Sequence, residues 1–419
     1  MDNEIKKTNY KKDILLNKVP LTDDQASLNF REDIVNNKKK STKSGFAKAK
    51  LSKGTLLEYR MKRLLFYMGY YSKVGVLLKT EQDSAADTIT DLDVIGIYVH
   101  KDFRLNSVWV DCKAGNAKPL ERISWINGVK SISWVDEAIF VKDRVRTSTR
   151  NFARKHDIKI LETKMIDELE KNFNIVPDDW RGSWDPENQY NQIITLQKIG
   201  IPEVESYKRI SNYISCDYWT YDKYSKVKKT ITALRQLVET EEFPLNEIQK
   251  FAIKWAIFEL VSMFTLALFE ICREVYFFNE KDKYSTIVEG LLSGEISLNN
   301  RNKIVDATYR TAYSIIKQHV PDFRGRIEIP SLGMTPPAYT SSFFDLVCRI
   351  TNDPLEYYDI LRMFDFMFME YDLKARDLDI NEMRKLFPNY DNMVVSGKTI
   401  LHFLSNTTGL KKNILGLFK

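Results

Sequence analysis

The chain has 419 residues, enough for two or three domains each with its own core. With 43 % hydrophobic and 29 % charged residues it has the composition of a globular protein rather than a collagenous or wholly disordered one. Its formal net charge of +6 equals the excess in residues 1–53, which hold 13 Lys/Arg against 7 Asp/Glu.

The N-terminus, MDNEIKKTNYKKD, is polar and charged, so no signal peptide is expected. Residues 1–50 read as a flexible arm. Seven lysines and no acid fall between positions 34 and 53, either as a solvated tail or as an electrostatic grip on phosphates.

Next comes an amphipathic helix, GTLLEYRMKRLLFYMG, with Leu57, Met61, Leu64, Leu65 and Met68 on one face and Gly69 as its stop. Thr55 and Glu58 have the spacing of a capping box at its start. YYSKVGVLL, DLDVIGIYV and SVWVDCK read as three strands, the last two joined by the polar turn HKDFRLN. KPLERISWINGVKSIS is helical, EAIFVKD a strand, RTSTRNFARKHD a helix, IKILE a short strand and TKMIDELEKNF a helix. The order α-β-β-β-α-β-α-β-α predicts a mixed sheet with helices on its faces over residues 51–172.

Residues 173–189 contain two prolines, a glycine and no periodicity, so a linker is expected there. Residues 190–419 are expected to form a mostly helical domain, built on 221–239, 251–278, 302–319 and 354–372, with a loop at 329–339. The most apolar stretch, 255–272, is interrupted by Glu259 and Glu270 and is predicted to be a buried core helix, not a membrane span. Four scattered cysteines, Cys112, Cys216, Cys272 and Cys348, form no C-x-x-C pair, which argues against a disulfide framework or zinc knuckle and fits a reduced, cytoplasmic setting.

The stretch VWVDCK carries the chemistry. Alternate side chains of a strand share a face, so Val108, Val110 and Cys112 point one way and Trp109, Asp111 and Lys113 the other. On the preceding strand Asp91 and Asp93 share a face. If the strands are neighbours, Asp93 and Asp111 can converge on one divalent cation such as Mg²⁺, which takes carboxylate oxygens and activates water for phosphodiester hydrolysis. Lys113 beside that water would position it and offset developing negative charge.

DVIG followed by VDCKAG resembles the D-x(n)-(D/E)-x-K signature of the PD-(D/E)XK nucleases, which have the restriction-endonuclease-like fold. The helix KGTLLEYRMKRLLFYMGYY is similar to the opening helix of the Mrr-type and Holliday-junction-resolvase-like members. The resemblance spans residues 53–172 and leaves the C-terminal half uncovered. It implies that Asp93 and Asp111 are metal ligands, joined by the carbonyl of Cys112, that Lys113 is the catalytic lysine, and that Glu58 completes the site. Mg²⁺ would be the cofactor, with Mn²⁺ as a substitute, DNA the substrate, and a homodimer or partner protein would be engaged through the helical region, with no membrane. Leu92 stands where the family's eponymous proline would be.

Other patterns are weaker. Asp91, Asp93 and Asp111 also suit a nucleotidyltransferase, but KTEQDSAADTI upstream lacks its Gly-Ser pair. A non-catalytic nucleic-acid-binding or assembly protein with a nuclease-like core is the other alternative. RNFARKH matches a loose R-x(4–6)-H pattern on a helix inside the α/β unit, and Ser396-Gly397-Lys398-Thr399 reads as a helix start rather than a P-loop. The four histidines, His100, His156, His319 and His402, lie too far apart in sequence to suggest a triad.

Overall fold

The first helix, α1 (Lys53–Tyr67), is started by Ser52, whose hydroxyl accepts from the Thr55 amide at 3.0 Å. Thr55 therefore lies inside the helix, and the expected Thr55–Glu58 capping box is not what begins it. The helix stops where expected: Gly69 takes a φ of 94°, its N–H bonds to the Phe66 carbonyl, and Tyr70 N–H reaches back to Leu65. This Schellman arrangement satisfies carbonyls that a helix end leaves open.

Five strands follow: β1 (Tyr71–Lys79), β2 (Thr88–Val99), β3 (Leu105–Cys112), β4 (Glu137–Lys142) and β5 (Ile158–Glu162). They lie in sequence order across one sheet, β1–β2–β3 antiparallel and β3–β4–β5 parallel. Helices α2 (Pro119–Ile132) and α3 (Thr147–Lys155) make the parallel crossovers, and α4 (Thr163–Asn172) follows β5. This is a mixed α/β sheet with flanking helices, in the element order expected. β2 begins at Thr88, so Asp91 lies within the strand, opposite Leu77, and does not open it. This computed structural model describes residues 51–80, 87–115, 118–199, 206–239, 244–294, 298–320, 323 and 335–411; the expected basic arm and most of the 329–339 loop lie outside them.

The alternation expected of β3 decides what each sheet face covers. Val108, Val110 and Cys112 join Leu57, Met61, Leu64 and Leu65 of α1 and Ile166 of α4 in one buried cluster. Trp109 belongs to the opposite face, with Ile95, Ile97, Phe140 and the α2 residues Ile123, Ile126 and Val129. Gly96 permits the close approach of α1: a Cβ there would lie 2.9 Å from a Val108 methyl and 3.1 Å from Leu65.

The second face does not end at the α/β unit. Its core continues without a break into the helical C-terminal region: α5 (Pro186–Lys198), α6 (Ser206–Ser215), α7 (Lys223–Glu239), α8 (Glu247–Val275), α9 (Glu280–Ser293), α10 (Leu298–His319), α11 (Thr340–Asn352), α12 (Pro354–Tyr357), α13 (Ile360–Met367), α14 (Ile380–Leu386) and α15 (Tyr390–Thr408), of which α10 alone places none of its described residues in that core. The central helix α8, fixed at its start by an Asn246–Gln249 capping box, is long and apolar enough to cross a membrane, yet 94 % of its most apolar window is buried within the protein. Expected to be one helix, 354–372 instead breaks after Tyr357 and ends in a π-helical turn, Phe368–Asp372. Ser396–Thr399 lies inside α15, not at a helix start.

Residues 173–189, expected as a linker, are packed. Trp184 is fully buried, stacked on Phe366 with centroids 5.1 Å apart, and meets Phe66 of α1. The buried Arg63 guanidinium donates to the carbonyls of Val176, Pro177 and Asp179 at 3.1, 2.8 and 3.0 Å. The segment is irregular up to Asp185, after which Pro186 opens α5, but its tryptophans anchor it. Leu51–Lys419 accordingly group as one compact unit rather than two domains joined by a tether.

Candidate active site

The site predicted from the sequence lies where β2 and β3 part. Their ladder reaches Val94 opposite Val110 and no further, while β3 stays paired to β4 through Cys112, and the Lys113 amide bonds to Val141 at 3.2 Å. At the parting point the Asp93 carboxylate accepts the Cys112 N–H at 2.7 Å, so a side chain satisfies a backbone donor that strand pairing leaves open.

This placement raises the Asp93 carboxyl well above its usual range. Burial is the largest cause; the charges of Asp111 and Glu58 add to it, while Lys113 and the Cys112 N–H oppose it. Glu58, Asp93, Asp111 and Lys113, four side chains from α1, β2 and the end of β3, thus act on one another electrostatically. Cys112 shares the surroundings: burial, then Asp93, Glu58 and Asp111, push its thiol well up. Its sulfur lies in the α1-side core and is inert, which leaves the backbone as that residue's contribution.

Asp111, only 1 % exposed, has a partner that the sequence reading missed. Arg122, near the start of α2, donates from Nε to Oδ2 at 3.0 Å and from Nη2 to Oδ1, and its guanidinium lies 3.6 Å over the Trp125 ring. The two-pronged bond anchors β3 to α2. It occupies two of the roughly four lone-pair positions a carboxylate offers, so each oxygen keeps acceptor capacity. Among the described residues no group of three or more His, Cys, Asp or Glu is gathered tightly enough to form a ligand set.

Asp91 pairs further along β2, and the charged groups that act most on Asp93 are Asp111, Lys113 and Glu58. His100 bonds to Asn106, His156 packs on Phe152, and His402 bonds to Asn406. Beyond the C-terminal ends of β3, β4 and β5 opens a groove of about 460 Å³ lined by Gly115, Lys142, Arg144, Glu162, Lys164 and Asp167 among others. Ligands of open α/β sheets bind outside these strand ends. No family model, curated protein or solved structure matches the chain.

Proposed function

We propose that the protein is a metal-dependent endonuclease that hydrolyses DNA phosphodiester bonds on a restriction-endonuclease-like core. The observation that supports this most is the desolvated Asp93 carboxylate where two strands part, with the charges of Asp111, Lys113 and Glu58 acting on it. A buried acid whose ionisation is opposed by two neighbouring acids is a poor structural device and a suitable seat for a cation. The donors are hard oxygens, which fit Mg²⁺ or Mn²⁺. Asp93 and Asp111 would hold the ion; Glu58 and the Cys112 carbonyl would complete the set only by closing on it, since the described residues gather no three such ligands. Arg122 would orient Asp111 from behind, as hydrogen-bonded partners of ligating carboxylates do.

When bound, such an ion lowers the pKa of a water and stabilises charge on the phosphate. The chain's own part is to hold the carboxylates, exclude bulk water from the β2–β3 cleft, and present the Lys113 ammonium where negative charge develops. The helical region, sharing a core with the sheet, would contribute contacts to a second copy or a partner protein.

The test is cleavage of plasmid, linear, branched and single-stranded DNA with Mg²⁺ or Mn²⁺. Activity should vanish in Asp93→Asn and Lys113→Ala. Cleavage persisting in excess chelator overturns the proposal. Nucleotide transfer to a nucleic-acid end without hydrolysis would instead support the nucleotidyltransferase reading.

A further inference from the structure

The segment 142–164 carries eight Lys/Arg against three Asp/Glu, whereas residues 54–419 as a whole are balanced. The excess is concentrated on one ridge. Arg144, Arg146, Arg150, Arg154, Lys155 and Lys164 are all exposed, and Thr149 and Ala153 turn the other side of α3 into the core. Arg150 and Arg154 lie four apart on α3, a step of about 6 Å, close to the roughly 6.8 Å rise of two nucleotides along one strand of a duplex, and Arg146 precedes them at the helix's N-cap.

The acids nearby already have partners. Glu162 takes the Val145 amide and Arg150, Asp157 takes Lys130, Asp167 takes Arg60, and Asp143 accepts from Thr163. Arg146, Arg154, Lys155 and Lys164 make no ion pair among the described residues. The ridge also reaches the candidate site, since Lys142 donates to the Gly115 carbonyl at 2.7 Å and Lys113 bonds the residue before Lys142. Lys142, Arg144 and Lys164 line the groove beyond the strand ends.

Resting on the nuclease reading for the adjoining site, we propose that this ridge grips the sugar-phosphate backbone of duplex DNA and delivers it to the β2–β3 cleft. The stripe is a rigid helical one, which matches a rigid backbone. Single-strand binders add stacking platforms, but the aromatic residues of this segment do not offer one: Phe152 packs against the core and on His156.

The experiment measures binding of the full chain to a labelled duplex of arbitrary sequence in EDTA, between 50 and 200 mM salt. Arg146→Ala, Arg154→Ala and Lys164→Ala are combined in one variant, with circular dichroism as the check on folding. The slope of log K against log salt should be shallower than wild type by about 2.7, or about 0.9 for each phosphate that is no longer neutralised. An unchanged slope, or tighter binding of the wild type to single strands than to duplex, overturns the proposal. If the wild type binds through the ridge but never cleaves, the nuclease reading fails and the ridge stands. If it cleaves and the triple variant binds and cuts unchanged, the ridge fails alone.

Discussion

Lys73 of β1 and Glu259 of α8 form a salt bridge across the boundary between sheet and helices, with side chains 11 % and 2 % exposed. Burial first, then the charge of Lys62, pulls the Lys73 ammonium down to about 7, with Asp365 opposing. Removing one member of a buried pair strands the other, at a cost of about 3–5 kcal/mol, whereas replacing both with apolar groups of similar size is often neutral or stabilising. Glu259→Leu and Lys73→Met should therefore each be severely destabilising, and the double variant should recover most of the loss, a coupling of several kcal/mol. The lysine pKa is depressed on folding, so between pH 7 and about 10.4 the unfolded chain holds the proton that the folded one releases. Wild-type stability should thus rise between pH 7 and about 10.4, by at most about 1.4 kcal/mol per unit, and Lys73→Met should abolish that rise. Urea denaturation followed by circular dichroism at pH 6, 8 and 9.5 reads both effects. Additive losses in the double variant would refute the reasoning, because the two groups would then not depend on one another in the folded state.

Asp93→Asn tests the crowded carboxylates by another route. Because the Asp93 carboxyl is raised on folding, its contribution is fully present below the unfolded carboxylate range and is lost as pH rises through the folded value; the Asn variant should melt higher than wild type at pH 7 and no differently in acid. Mg²⁺ should narrow that gap by stabilising the wild type alone, as seen by thermal melting with and without the ion. Gly96→Ala should cost about 1–3 kcal/mol in denaturant titration, since its methyl would press on Val108, Leu65 and Tyr70. Residues 190–419 expressed alone should be poorly folded and bind hydrophobic dyes, because their core is completed by the sheet; a cooperative melt of that fragment would contradict the shared core.

Much of the α/β architecture was legible because local signals agreed with the tertiary outcome. The apolar period of α1, its terminal Gly69 and the two-faced alternation of β3 all describe surfaces that are buried as the pattern implies. The adjacency of Asp93 and Asp111 was legible for a related reason: consecutive antiparallel strands bring them to neighbouring positions. Arg122 was not, because its partner is chosen by how α2 settles on β3, and nothing in KPLERISW distinguishes it from a surface arginine. Residues 173–189 misled for the opposite reason: prolines and lost periodicity report irregular backbone, but exposure depends on anchors such as Trp184 and on the carbonyls that Arg63 collects. The break within 354–372 has no internal proline or glycine to announce it after Pro354.

The continuous core has a consequence for synthesis on the ribosome. The strands are complete by Glu162, but the partners of the second sheet face, including Glu259 and Phe366, emerge about 100 and 200 residues later. At about 5–20 residues per second the nascent sheet waits on the order of 10–40 s with its apolar side uncovered. During that interval Phe103, which finally packs on Phe269 of α8, is available to any passing chain. Growth temperature and holding chaperones should therefore govern soluble yield more than the equilibrium stability of the finished protein does.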